Sequence, residues 1–121
     1  MQYFDFRSDA PTQVYNQLPA AVRNGHFGWA LAQLRSGNAV QRAGWNGKGM
    51  FLFFVPGSTF NVAEGRPMAA HFPVGTEVKY HAHIDMKTAQ GDVVPWLASQ
   101  TDILADDWQA YPAEKIGRAH V

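Results

Sequence analysis

Most of the groups in this chain that suit a small, charged ligand lie in two stretches, Gly44-Trp45-Asn46-Gly47-Lys48-Gly49 and Tyr80 to Asp102. A flat heterocycle needs an aromatic face to stack on, and each stacked base contributes about 1–3 kcal/mol. Trp45 and Trp96 are the candidates, because each sits in or beside a turn and not inside an apolar run. A diphosphate needs positive charge together with backbone amides that no side chain covers. Gly47-Lys48-Gly49 supplies both, and Lys87 beside Thr88 adds a second ammonium. Ribose hydroxyls need paired donors and acceptors, for which Asn46, Asp85, Gln100, Thr101 and Asp102 are the right types. Each also has a plainer reading: Lys48 as a solvated turn lysine, Asp85 as a turn residue, Asp102 as part of a helix cap. Neither a GxGxxG nor a Walker pattern is present.

Catalytic readings find less support. On a strand, alternation points His81, His83 and Asp85 to one face, and two imidazoles with a carboxylate can bind zinc. A hydrolytic zinc site needs further ligands downstream, and the one histidine that follows is His120, in the tail. His26 and His71 stand at no recognisable ligand spacing. Ser58, in Pro56-Gly57-Ser58-Thr59, lacks the Gly-x-Ser-x-Gly elbow. Ser99 explains itself as a helix cap, and without cysteine thiol chemistry is excluded. The expectation is a binding protein with no catalytic residue, no metal and no cofactor.

The elements that must position these groups follow from periodicity. Phe27, Ala30, Leu31 and Leu34 recur at helical spacing, which predicts a helix over Phe27 to Arg35 with its apolar stripe in the core. Gly37 follows where a left-handed cap belongs. Ala39 to Arg42 reads as a strand leading into the Asn46-Gly47 turn. Met50 to Val55, continuously apolar between Gly49 and Pro56, reads as a central strand buried on both faces. Asn61 to Pro73 is irregular. Glu77 to Ile84 alternates as one strand, Ala89 to Asp92 turns, and Val93-Val94 returns. Ser99 and Asp102 form a capping pair for a short helix to about Ala105. Trp108 to Tyr111 is a last strand, and Trp29 and Trp108 are assigned to core or interface. Met1 to Phe6 alternates as an edge strand, and Thr12 to Val22 reads as a loose helix broken at Pro19. The sum is α+β: one amphipathic helix on a small, mainly antiparallel sheet, in a single domain.

Composition sets the outer bounds. The chain has 121 residues, 46% of them hydrophobic and 17% charged, which disfavours disorder. Ten basic residues balance ten acidic ones, so the net charge is zero and a nucleic-acid polymer is an unfavoured partner. Near-neutrality with four Trp, four Tyr and eight Phe favours self-association. The first residues show no signal-peptide pattern, and the longest apolar run is far too short to span a bilayer, so no membrane partner is expected. The absence of cysteine fits a reducing cytosol.

Both stretches resemble the Thoeris anti-defense protein 2 family of phage proteins. The likeness runs from Phe27 (FGWALAQLRSGNAVQRAGWNGKGMFLFFVPGSTF) through HIDMKTA to VPWLASQTD and Trp108. It divides the chain into an N-terminal extension (1–26), a family domain (27–110) and a tail (111–121). The extension is longer than the family pattern. The resemblance implies a sponge that binds, without cleaving, a glycocyclic ADP-ribose made by a bacterial TIR-domain enzyme. It also implies a separate site for CBASS-type cyclic oligonucleotides in some members, a homotetramer (alternatively a dimer) with pockets between protomers, and action in the host bacterial cytoplasm. On the matching motifs it carries the base to Trp45 and Trp96, phosphates to Lys48 and Lys87, and polar contacts to Asn46, Asp85, Gln100, Thr101 and Asp102. The alternatives are a metal-assisted nucleotide phosphodiesterase and a non-catalytic phage structural or interaction module.

Overall fold

The computed structural model describes residues 25–116; the edge strand and loose helix expected between Met1 and Val22, and His120, lie outside them. A five-stranded sheet carries the fold. Its strands are β1 (Val40–Arg42), β2 (Phe51–Val55), β5 (His83–Lys87), β6 (Val93–Pro95) and β7 (Trp108–Ala110), in the order β6-β5-β2-β1-β7, every neighbouring pair antiparallel. Helix α1 (Phe27–Arg35) packs on one face. Ala30 and Leu34 of its stripe are fully buried against Val40, Leu52 and Trp108, which together form the core. Gly37 (φ +92°) ends the helix as its pattern requires.

Facing residues of an antiparallel ladder share a side, and alternate residues change side. The register Leu52 opposite Met86, with Val40 opposite Leu52 and Arg42 opposite Trp108, therefore places Phe54, Ile84, Met86 and Trp96 on the α1 face. Phe51, Phe53, Asp85, Lys87 and Val93 take the opposite face. This corrects one expectation. The strand β2 is central, but only Leu52 is buried; Phe51 and Phe53 remain part-exposed because the Tyr111 ring and the 3-10 turn Ala113–Ile116 border a cavity over their face without filling it. An unbroken apolar run does not reveal whether a second covering layer exists.

A second correction concerns Glu77 to Ile84. The chain there forms β4 (Glu77–Tyr80) in a separate two-stranded sheet with β3 (Ser58–Asn61), breaks at His81-Ala82, and then enters β5. Val55 stands opposite His83 and Ser58 opposite Tyr80, so one register runs through both ladders. The two sheets are a single long hairpin bent at Pro56-Gly57 and His81-Ala82. Gly57 makes the bend: a Cβ there would stand 3.0 Å from the Tyr80 carbonyl oxygen and 3.1 Å from the Ala82 nitrogen. Beyond the bend the arm is mostly exposed, with Val62 as its one buried apolar side chain, and Pro67–Ala70 adds a short 3-10 turn. Helix α2 (Gln100–Leu104) starts where expected, with Ser99 Oγ accepting from the Asp102 N–H at 3.0 Å.

Candidate ligand-binding site

The loop between β1 and β2 opens with a 3-10 turn over Ala43–Trp45, closed by the Asn46 N–H donating to the Ala43 carbonyl at 3.0 Å. Asn46 (φ +63°), Gly47 (+65°) and Gly49 (+80°) are all left-handed. A Cβ built on Gly47 meets nothing within 4 Å, so glycine serves the backbone conformation there and the side of the loop stays open. Lys48 points to solvent. Lys87 fastens the loop from the end of β5: its ammonium donates to the Gly49 carbonyl at 2.9 Å and lies 5.6 Å above the Phe51 ring. An ammonium has three donors, so this contact leaves Lys87 capacity for an anion.

A charged clamp stands behind the same loop. Arg42 Nε donates to Asp107 Oδ1 at 2.8 Å, and Nη1 donates to Asp102 Oδ1 at 2.8 Å. Asp107 Oδ2 accepts the Gly44 N–H at 2.8 Å, and the Ala43 N–H donates to the Asp107 carbonyl at 3.0 Å. The side chains of Arg42 and Asp102 are 17% and 16% exposed, so the pair is partly withdrawn from water. The Arg42 guanidinium, with help from the Gly44 amide, holds the Asp107 carboxyl below the usual carboxylate range, and the two carboxylates push the guanidinium pKa up.

Trp108 is the hub of the aromatic residues. It is 1% exposed, and its indole N–H donates to the Asp102 carbonyl at 2.8 Å. Trp45 meets it edge-on at 5.4 Å between ring centroids, Trp96 at 6.2 Å, and Phe27 lies tilted against both Trp108 and Trp96. Trp45 and Trp96 thus bracket one buried indole while each stays part-exposed.

Of the concavities that adjoin these groups, two hold sequence candidates with charged side chains. A groove of about 310 Å³ at the β5–β6 edge takes in Asp85 and Trp96, with Tyr80 stacked on His83 at 5.1 Å and 24°. The His83 Nδ1–H donates to the His81 carbonyl at 3.0 Å, and Nε2 lies 3.6 Å from Asp85. His81 stands off the strand, so alternation does not align it with His83 and Asp85. No three His, Cys, Asp or Glu among the described residues are grouped to hold a metal ion. A larger cavity of about 570 Å³ lies over the Phe51–Phe53 side of the sheet, floored by Phe51, Phe53 and Tyr111 and bordered by Lys87, by Gln33 near the end of α1 and by Ile116. Its size falls in the range of small-molecule sites.

The family model described as the Thoeris anti-defense 2-like domain matches residues 25–111. A protein named Thoeris anti-defense 2, from Bacillus phage SP01, is 39% identical over 87 residues, covering 68% of this chain and 89% of that relative. The chain belongs to the Thoeris anti-defense 2 family. The motifs from which the resemblance was read, WNGKGM and VPWLASQTD, lie inside that match.

In this family member the structure sorts the sequence candidates into groups. Trp45, Trp96 and Asp102 gather around Trp108, with Gln100 and Thr101 exposed on α2 beside them. Asn46 and Lys48 share the loop with Trp45, and Lys87 joins that loop from behind. Asp85 and Lys87 issue from the face of the sheet opposite Trp96. Asp102 is engaged by Arg42, Ser99 and Trp108 at once. Sequence reasoning missed Arg42 and Asp107, the Phe51-Phe53-Tyr111 floor and the Tyr80–His83 stack. Arg42 and Asp107 are 65 residues apart and no local pattern joins them. The alternation of Phe51 and Phe53 was the available signal for the floor.

Proposed function

We propose that this Thoeris anti-defense protein works as a sponge: it binds a TIR-derived cyclic ADP-ribose, glycocyclic ADP-ribose, and withholds it intact from the host effector in the bacterial cytoplasm. The observation that carries this reading is the Trp45–Gly49 loop. Its left-handed glycines keep backbone amides uncovered, Lys48 and Lys87 place two ammonium groups at it, and the part-exposed Trp45 indole stands at its start. Base stacking and charge-assisted bonds to phosphate are what such a loop does best.

The ligand sits between copies of the chain. Trp96 lies on the α1 side of the sheet, while Lys87 and the apolar floor beside it face the other way, so one protomer does not close Trp96 and Lys87 on one small molecule. A homotetramer, or a dimer, brings a second copy's groups across. Enclosure of this kind also serves affinity: nanomolar binding requires about −12 kcal/mol, beyond one stacked base and a few polar contacts. A cyclic oligonucleotide is the second ligand class, held at a separate pocket.

The test is capture and release. The protein is mixed with glycocyclic ADP-ribose, freed of unbound ligand and heat-denatured, and the supernatant is analysed by mass spectrometry. Intact messenger at about one per site is the expected result. Cleaved product makes the protein an enzyme, and no retained ligand overturns the messenger assignment.

A further inference from the structure

We propose that Arg42 is a positioning residue for ligand binding, and that Asp102 acts through it and not by touching ligand. This rests on the reading of the Trp45 loop and of α2 as ligand-binding elements. Arg42 is the joint between them. One of its nitrogens holds Asp107, whose second oxygen takes the Gly44 amide and so fixes the start of the Trp45 loop. Another holds Asp102 in the first turn of α2, the helix that presents Gln100 and Thr101. The Asp102 carbonyl in turn anchors Trp108, on which Trp45 and Trp96 both lean. Loop, helix and aromatic pair are therefore held at fixed separations by one guanidinium.

The geometry leaves little slack. A Cβ on Gly44 would stand 2.9 Å from Asp107 Oδ2 and 3.3 Å from Arg42 Nη2, so a side chain there would press on the clamp itself. A planar guanidinium donates from separate nitrogens to both carboxylates at once, and a lysine ammonium does not reproduce that fork. Asp102 has its side chain turned to Arg42 at 2.8 Å, its N–H on Ser99 and its carbonyl on Trp108. Positioned in this way it fixes α2, and the ligand-facing polar work falls to Gln100 and Thr101. A ligand that spans loop and helix gains from the clamp because it binds elements already in place.

A double-mutant cycle on the full-length protein separates positioning from contact. Asp102→Asn leaves both backbone anchors of residue 102 and removes the charge that Arg42 holds. Affinity for glycocyclic ADP-ribose, measured by titration calorimetry, is expected to fall in Asp102→Asn and in Arg42→Lys by a coupling of roughly 5- to 150-fold. The double variant is expected to bind no more weakly than Arg42→Lys alone, since the Asp102 carboxylate has no role apart from the clamp. Losses that multiply in the double variant mean that Asp102 contacts ligand independently, and they overturn the proposal; so does unchanged affinity in Arg42→Lys. Hydrogen exchange at the amides of residues 44–49 is read in parallel, without ligand. It speeds up in Arg42→Lys if the clamp holds the loop and stays at the wild-type rate if it does not. A wild-type protein that binds no messenger fails the functional reading, and the amide rates then decide the clamp by themselves. Gly44→Ala, which crowds Asp107 without changing any charge, gives the same loop signature should Arg42→Lys fail to fold.

Discussion

Asp107 is bound by Arg42 and by the Gly44 amide, and both interactions favour its ionised form. Its carboxyl therefore titrates lower in the folded protein than in the unfolded chain. A group of this kind stabilises the fold at any pH above its unfolded value, and the contribution disappears as pH falls through the folded one. Arg42, pushed upward, stays charged throughout and adds no slope of its own. Urea unfolding across a pH series should show full clamp stability at neutral pH and a loss that begins only below about pH 4. Asp107→Asn should be less stable than wild type at pH 7, with the two converging as the medium becomes acid; a constant gap down to pH 3 would show that Asp107 contributes no charge-dependent stability. At this scale the sequence was partly legible. It displayed Trp45, Lys48 and Ser99 through turn and cap signals, because those signals are local. Arg42 and Asp107 become partners only after the chain has folded, so their roles had no local trace.

Elements were legible wherever one period applied to one structural role. The stripe of α1 was readable because a single face meets the core, and α2 because its cap bond spans three residues. The run Glu77 to Ile84 misled because alternation survives a change of sheet: β4 and β5 both alternate, and the break between them adds two residues without disturbing the register. The information sat instead at Gly57, on the opposite limb of the hairpin, whose missing side chain lets the strands bend. Gly57→Ala brings a methyl group against backbone atoms of Tyr80 and Ala82 that no rotamer change moves aside. The expected cost is about 1–3 kcal/mol, the range for overpacking a tight contact. For a domain of this size each kcal/mol lowers the melting temperature by roughly 4–8 °C. A scanning-calorimetry midpoint within one degree of wild type would show that the bend tolerates a side chain and that the glycine is not its cause.

At the level of the whole molecule, two of the candidate binding groups face different ways. Trp96 leans on Trp108 from the α1 side of the sheet, and Lys87 issues from the other side, next to the cavity floored by Phe51, Phe53 and Tyr111. A neutral chain meets no long-range repulsion from its own copies, so pairing such surfaces carries little electrostatic penalty. If a bound messenger takes its stacking partners from one protomer and its ammonium from another, two crippled proteins can repair each other. Trp96→Ala alone and Lys87→Ala alone should each lose most messenger binding. Denatured together and refolded as a mixture, they should regain part of it, because mixed assemblies contain some pockets with both an intact Trp96 and an intact Lys87. The same variants refolded separately and then combined should recover activity only as fast as subunits exchange, which size-exclusion chromatography of differently tagged copies measures. Recovery in the co-refolded mixture would place the two residues on different chains around one ligand. No recovery, with mixed assemblies demonstrably present, would place the whole site within a single copy and make the second face of the sheet a separate surface.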